Sequence, residues 1–209
     1  MKVGIRLAMR VQVNLLICAA HDFVAFAMRL WQTCKYAPIL WDYSFPRKLG
    51  TLFMIIFKTL YLTVRLLALT NNAENAYIYA DACVRNETEN ISAERLCAIA
   101  HVESRYIFNA VNNSGHCGSW QQHPKWSLMW GDDCYDNYGR LICRQPGGNG
   151  LSCEELLDVY VSARVAARHL NYLYRRNNRN YLCRYAGATG QRCVNYTNSV
   201  SRIENEISQ

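Results

Sequence analysis

Glu103 is a solitary acid at the end of an apolar helical run. The chain that follows it, through Gln122, is a loop of small and amide residues punctuated by Gly115 and Gly118. A carboxyl on an apolar helix face is desolvated, and near the C-terminus of that helix it also meets the negative end of the dipole. Both effects raise its pKa and let it hold a proton near neutral pH. Such an acid can deliver that proton to the leaving oxygen of a glycosidic bond. Around it, Ser104 can hydrogen-bond near the carboxyl or at the helix end. Gly115 and Gly118 permit tight turns that let the backbone approach a sugar ring. Gln121 and Gln122 carry paired donors and acceptors for hydroxyl and N-acetyl groups. Tyr106 and Trp120 offer flat apolar faces to a sugar, with core packing an equal alternative.

Metal chemistry is poorly supported. His101-Val102-Glu103 has the His-x-Glu spacing of a zinc deaminase, but no Pro-Cys-x-x-Cys follows it. His101, His116 and His123 lack metal-ligand spacing, so no metal and no cofactor is expected. Asn86, Asn90, Asn112 and Asn195 stand in Asn-x-Ser/Thr sequons, a pattern common by chance; a glycan at Asn112 would crowd the proposed cleft.

These residues need a helix to hold the acid and pinned loops to surround it. Ser92 is a natural N-cap, with Glu94 in the first turn where the helix dipole favours an acid. Leu96, Ile99, Ala100 and Glu103 then fall on one face at spacings of three and four. From Asn109 to Gly150 the chain is turn-rich. Helix returns over 153–175, where Leu156, Leu157, Tyr160, Val161, Val165 and Tyr172 mark an apolar side. Arg184 to Gly190 reads as a loop and Cys193 to Ile203 as a short closing helix. No strand pairs stand out, and the expected fold is mainly α.

Charge and cysteine divide the chain at about the same place. Residues 1–70 hold nine Lys or Arg against two acids, and the rest of the chain holds fourteen of each, so the net charge of +7 belongs to the first third. The basic residues there interleave with apolar runs, which favours a membrane or targeting role over nucleic acid. Cys83, Cys97, Cys117, Cys134, Cys143, Cys153, Cys183 and Cys193 include no Cys-x-x-Cys pair. They read as four disulfides of open connectivity, and hence as a sign of an oxidising compartment such as periplasm, cell exterior or virion.

Leu49 to Leu69 is long and apolar enough to cross a bilayer, but Lys58 and Arg65 interrupt it. A dozen Leu, Ile, Phe and Val contribute about −0.3 to −0.6 kcal/mol each, and each central cation costs about +2.5 to +3.5, so the balance is near zero. Met1 to Arg10 before the weaker apolar run Val11 to Met28 resembles the n-region of an export signal, and Met54 is an alternative start. The expected organisation is a membrane-directed or export segment over 1–70, a polar linker over 71–92, a helical domain over 93–203 and a tail over 204–209.

The series Glu103, Ser104, Tyr106, Ala110, Gly115, Gly118 and Gln121 resembles, without insertion or deletion, a motif of the lytic transglycosylases. In these relatives of goose-type lysozyme the pattern is Glu-Ser, an aromatic two residues on, Ala, and Gly-x-x-Gly-x-x-Gln. The resemblance covers about 93–200 and implies a lysozyme-like helical domain acting on the glycan strands of peptidoglycan. It implies Glu103 as the single catalytic acid and base: it protonates the glycosidic oxygen, then takes the proton from the C6 hydroxyl of N-acetylmuramic acid as a 1,6-anhydro ring closes. No second carboxylate lies between Glu103 and Gln122. A hydrolysing lysozyme, which needs one, would have to use Asp132, Asp133 or Asp136. Cysteine-rich invertebrate-type lysozymes share the Glu-Ser and Cys-Gly elements and are a competing resemblance.

The family's second motif, Tyr-Asn-x-Gly, is altered here to Arg184-Tyr185-Ala186-Gly187. Tyr185 or Tyr181 would then take the role of the motif tyrosine beside Gly187, or the chain is a weakened wall-binding or virion component. Domains of this kind open the wall for secretion or conjugation machinery, pili or phage entry.

Overall fold

The computed structural model describes residues 47–124, 151–177 and 180–209. The expectations for 1–46, for Asp132, Asp133 and Asp136, and for Cys134 and Cys143 lie outside them. The described residues form helices α1 (Arg47–Thr70), α2 (Ala73–Asn86), α3 (Ala93–Ser104), α4 (Cys153–Leu157), α5 (Val159–Asn177), α6 (Tyr181–Tyr185) and α7 (Gly190–Ser208). No named strand occurs among them. Isolated antiparallel bridges, Val111 with Cys117 and Cys117 with Gln122, fold the loop after α3.

Helix starts follow the local signals. Ser92 caps α3 by accepting from the Arg95 N–H at 3.2 Å. Ser152 opens α4 with a capping box, its hydroxyl accepting from the Glu155 N–H while the Glu155 carboxylate accepts from the Ser152 N–H. The single helix expected over 153–175 is broken at Asp158, whose carboxylate accepts from the Val161 N–H and restarts the chain as α5. The closing helix is longer than expected at both ends.

The Asn- and Glu-rich stretch expected as a linker contains α2. Asn72 caps it, and Ala76, Tyr79, Ala80 and Cys83 are fully buried along one face. Small alanines make that stripe weakly apolar by composition, although its spacing is helical.

Helix α3 is the centre of the core. Ala93, Leu96, Cys97, Ala98, Ile99 and Ala100 are all fully buried, between α2, α5 and α7. The partners are small or branched side chains: Ala163, Ala166 and Leu170 from α5, and Val200, Ile203 and Ile207 from α7. Trp120 inserts from the loop, fully buried, and donates its indole N–H to the Leu96 carbonyl at 2.8 Å. A half-buried Arg95 arrangement joins α3 to α7 and α6. Its guanidinium donates to Glu204 Oε2 at 2.8 and 2.9 Å and to the Tyr181 hydroxyl at 2.8 Å.

All six domain cysteines among the described residues pair: Cys83 with Cys97, Cys117 with Cys153, and Cys183 with Cys193. The first staples α2 to α3, the second ties the glycine loop to α4, and the third closes the turn between α6 and α7. Helix α1 packs along α2 and touches α7, burying Thr59, Leu62 and Leu66. Both cations inside its apolar run face the domain. Lys58 pairs with Glu87, and Arg65 donates to the carbonyls of Ile207 (3.0 Å) and Glu206 (2.9 Å).

Candidate active site

Glu103 occupies the last turn of α3, half-buried, where the chain makes an abrupt exit. Arg105 and Tyr106 both adopt the left-handed conformation, at φ 55° and 62°. Each costs about 1–2 kcal/mol for a residue with a Cβ. Ser104 supports this exit: its hydroxyl donates to the Ala100 carbonyl at 3.1 Å and accepts from the Ile107 N–H at 3.2 Å. Of the two roles open to Ser104, the geometry gives it the helix end. The turn leaves Glu103 at the edge of the packed core, with its carboxyl facing α7.

There the hydroxyl of Tyr196 donates to Glu103 Oε1 at 2.6 Å. Burial pushes the Glu103 carboxyl above the usual carboxylate range, and the Tyr196 bond pulls it partly back by favouring the charged form. Tyr196 itself is pushed far up, by burial first and then by the neighbouring carboxyl, so it stays a protonated donor. Tyr196 did not emerge from motif matching. Its signal is periodicity: Tyr196, Val200, Ile203 and Ile207 follow one another at four, three and four residues, so the ring continues the stripe by which α7 enters the core.

Tyr185 is the second tyrosine here. Its hydroxyl donates to the Trp120 carbonyl at 2.8 Å and accepts from Gln122 Nε2 at 2.5 Å. Burial raises its pKa, and the nearby Glu103 charge adds to that. The α6 tyrosine is therefore beside the acid and braced to the loop after it. His169 packs its ring against Tyr185 at 5.3 Å between centroids, and burial lowers its pKa to about 4, which keeps the imidazole neutral. Tyr181 is turned to Arg95, with its ring edge-on to Tyr174.

Two residues offered to a sugar face by sequence are used otherwise. Trp120 is fully buried, and Tyr106 is 4% exposed, its ring against Tyr79 and His101. Both are packing residues, because the loop must fill the space between α2 and α3. Tyr79 completes the cluster, its hydroxyl sharing a 2.5 Å hydrogen bond with Ser119.

Gly118 has a different reason from the one its motif suggested. A Cβ there would lie 1.9 Å from the Leu156 carbonyl oxygen, so the close approach is to α4 and not to open space. Gly115 (φ 79°) faces outward, its nearest neighbour the His123 ring at 3.8 Å. Gln121 turns its amide back onto the carbonyls of Gly118 (2.9 Å) and Ala110 (3.3 Å), and Gln122 is buried against Trp120 and Tyr185. Gly187 lines a cavity of about 570 Å³ beside the Cys183–Cys193 bridge, together with Arg184 and Thr189. Glu103 is not among the residues that line that cavity. Among the described residues no group of three or more His, Cys, Asp or Glu is placed to hold a metal ion.

Residues 83–207 match the family model described as the Transglycosylase SLT domain. No curated protein and no solved structure matches the chain significantly.

Proposed function

Because the chain belongs to the transglycosylase SLT domain family, whose members are glycan-cleaving enzymes of peptidoglycan, we propose that it is a lytic transglycosylase with Glu103 as its one acid and base. The observation that carries this reading is the Glu103 carboxyl itself: raised in pKa by burial, at the mouth of a strained turn, and held by the Tyr196 hydroxyl. A raised pKa increases the share of the carboxyl that carries a proton to give to the glycosidic oxygen between N-acetylmuramic acid and N-acetylglucosamine. The Tyr196 bond then steadies the carboxylate that results. That carboxylate takes the proton from the C6 hydroxyl as its oxygen attacks C1, which closes the 1,6-anhydro ring without water.

Among the described residues, burial and the Tyr196 hydrogen bond account for the shift of Glu103. The three disulfides among the described residues fit a wall-facing, oxidising compartment.

Digestion of purified peptidoglycan by the wild type and by Glu103→Gln, with mass spectrometry of the fragments, tests the proposal. Anhydro-muramic ends from the wild type alone are expected. Reducing ends would replace this mechanism by hydrolysis, and no release by the wild type would leave a wall-binding domain.

A further inference from the structure

Helix α1 has two unlike faces. Leu52, Phe53, Ile56 and Leu60 are 44–52% exposed. At 100° per residue these four fall within about 100° of arc, and Lys58 and Arg65 lie on roughly the opposite side. On that opposite side Lys58 pairs with Glu87, the Tyr61 hydroxyl donates to the Ser208 carbonyl at 3.2 Å, and Arg65 holds the carbonyls of Glu206 and Ile207. Leu62 and Leu66 are fully buried beside them. The cations that make a bilayer span costly are thus the groups that fasten the helix to the domain.

A 21-residue window, Gly50–Thr70, is long and apolar enough to cross a membrane. From Thr59 onward, however, the helix is packed on α2 and α7, and a crossing would draw those helices into hydrocarbon. The twelve residues before Thr59 reach only about 18 Å, against a core of about 30 Å. The exposed stripe from Leu52 to Leu60 is about 12 Å long, a length suited to lying in a headgroup boundary.

We propose that the Leu52-Phe53-Ile56-Leu60 face docks onto an anionic phospholipid surface, lying in the interface and holding the domain flat against the membrane. Charge selects this occupant. Leu49 to Ala73 contains no acid, and residues 1–48 carry seven Lys or Arg against two Asp. Anionic headgroups attract that segment, whereas a second copy meeting face to face would bring two basic segments together. This inference is independent of the chemistry at Glu103.

The test is flotation of the full chain with vesicles of phosphatidylglycerol and phosphatidylethanolamine, against vesicles of phosphatidylcholine alone. Binding to the anionic vesicles, released by alkaline carbonate, is expected. Leu52→Glu/Ile56→Glu should reduce it at least tenfold and leave cleavage of soluble glycan strands unchanged. Leu52→Ser/Ile56→Ser, milder for the fold, should give a smaller loss in the same direction. Equal binding by both variants would assign the contact to residues 1–46. Retention through carbonate would mean a span, and a dimer in light scattering that the variants dissolve would mean a second copy. Each of these outcomes, or no vesicle binding at all, overturns the proposal.

Discussion

The Tyr196 hydroxyl donates to Glu103 Oε1 at 2.6 Å, joining the last turn of α3 to the second turn of α7 across 93 residues of chain. The partner of the acid therefore comes from the closing helix, beyond the altered Arg184-Tyr185-Ala186-Gly187 motif. Tyr185 stands beside the acid in a different role, bracing Trp120 and Gln122.

Tyr196→Phe keeps the ring in the core and removes that bond. A hydrogen bond to a charged group is worth about 1.5–3 kcal/mol, so kcat for wall lysis should fall about 10- to 100-fold. The bond lowers the Glu103 pKa, so its loss should also move the alkaline limb of the pH–rate profile to higher pH. An unmoved limb with lowered kcat would mean that Tyr196 supports the fold and not the acid.

Glu103→Gln should abolish release of fragments, with a loss of about 10²- to 10⁴-fold. Its effect on stability has a definite sign. Folding raises the Glu103 pKa, so the stability linked to its proton is complete below the unfolded carboxylate pKa and is lost as pH rises through the folded value. Glutamine is neutral throughout. The melting temperature of the variant relative to wild type should therefore climb with pH over that window and then level off. Thermal denaturation from acid to mildly alkaline pH checks this, and a flat difference would contradict the raised pKa.

Gly118→Ala places a methyl 1.9 Å from the Leu156 carbonyl oxygen at a φ of 76°, and a backbone atom cannot swing aside. The cost should be about 3 kcal/mol or more. Gly115→Ala meets only the His123 ring at 3.8 Å and carries strain alone, about 1–2 kcal/mol. Urea denaturation should order the two variants in that way; equal losses would show that α4 yields.

Opening the Cys183–Cys193 bridge should cost about 2–3 kcal/mol by the chain-entropy account of its ten-residue separation. The bridge begins two residues before Tyr185 and ends three before Tyr196. The Cys183→Ser/Cys193→Ser variant should consequently lose kcat at temperatures where circular dichroism still reports it folded. Activity that tracks the folded fraction alone would limit the bridge to stability.

Much of this protein is legible in one dimension. Ser92 and the Leu96, Ile99, Ala100 stripe mark α3 and place Glu103 at its end, because capping and helical period are local. The collinear residues from Glu103 to Gln121 indicate the family for the same reason.

Partnership was decided only by the fold. Trp120 and Tyr106 could serve a sugar or the core with equal chemistry, and both were drawn inward by the space between α2 and α3. Lys58 and Arg65 read as penalties in a span until Glu87 and the α7 carbonyls gave them partners. Gly118 answers to the backbone of Leu156, and Glu103 to the hydroxyl of Tyr196. Sequence fixes what a side chain can offer; which group receives it depends on packing between segments far apart in the chain.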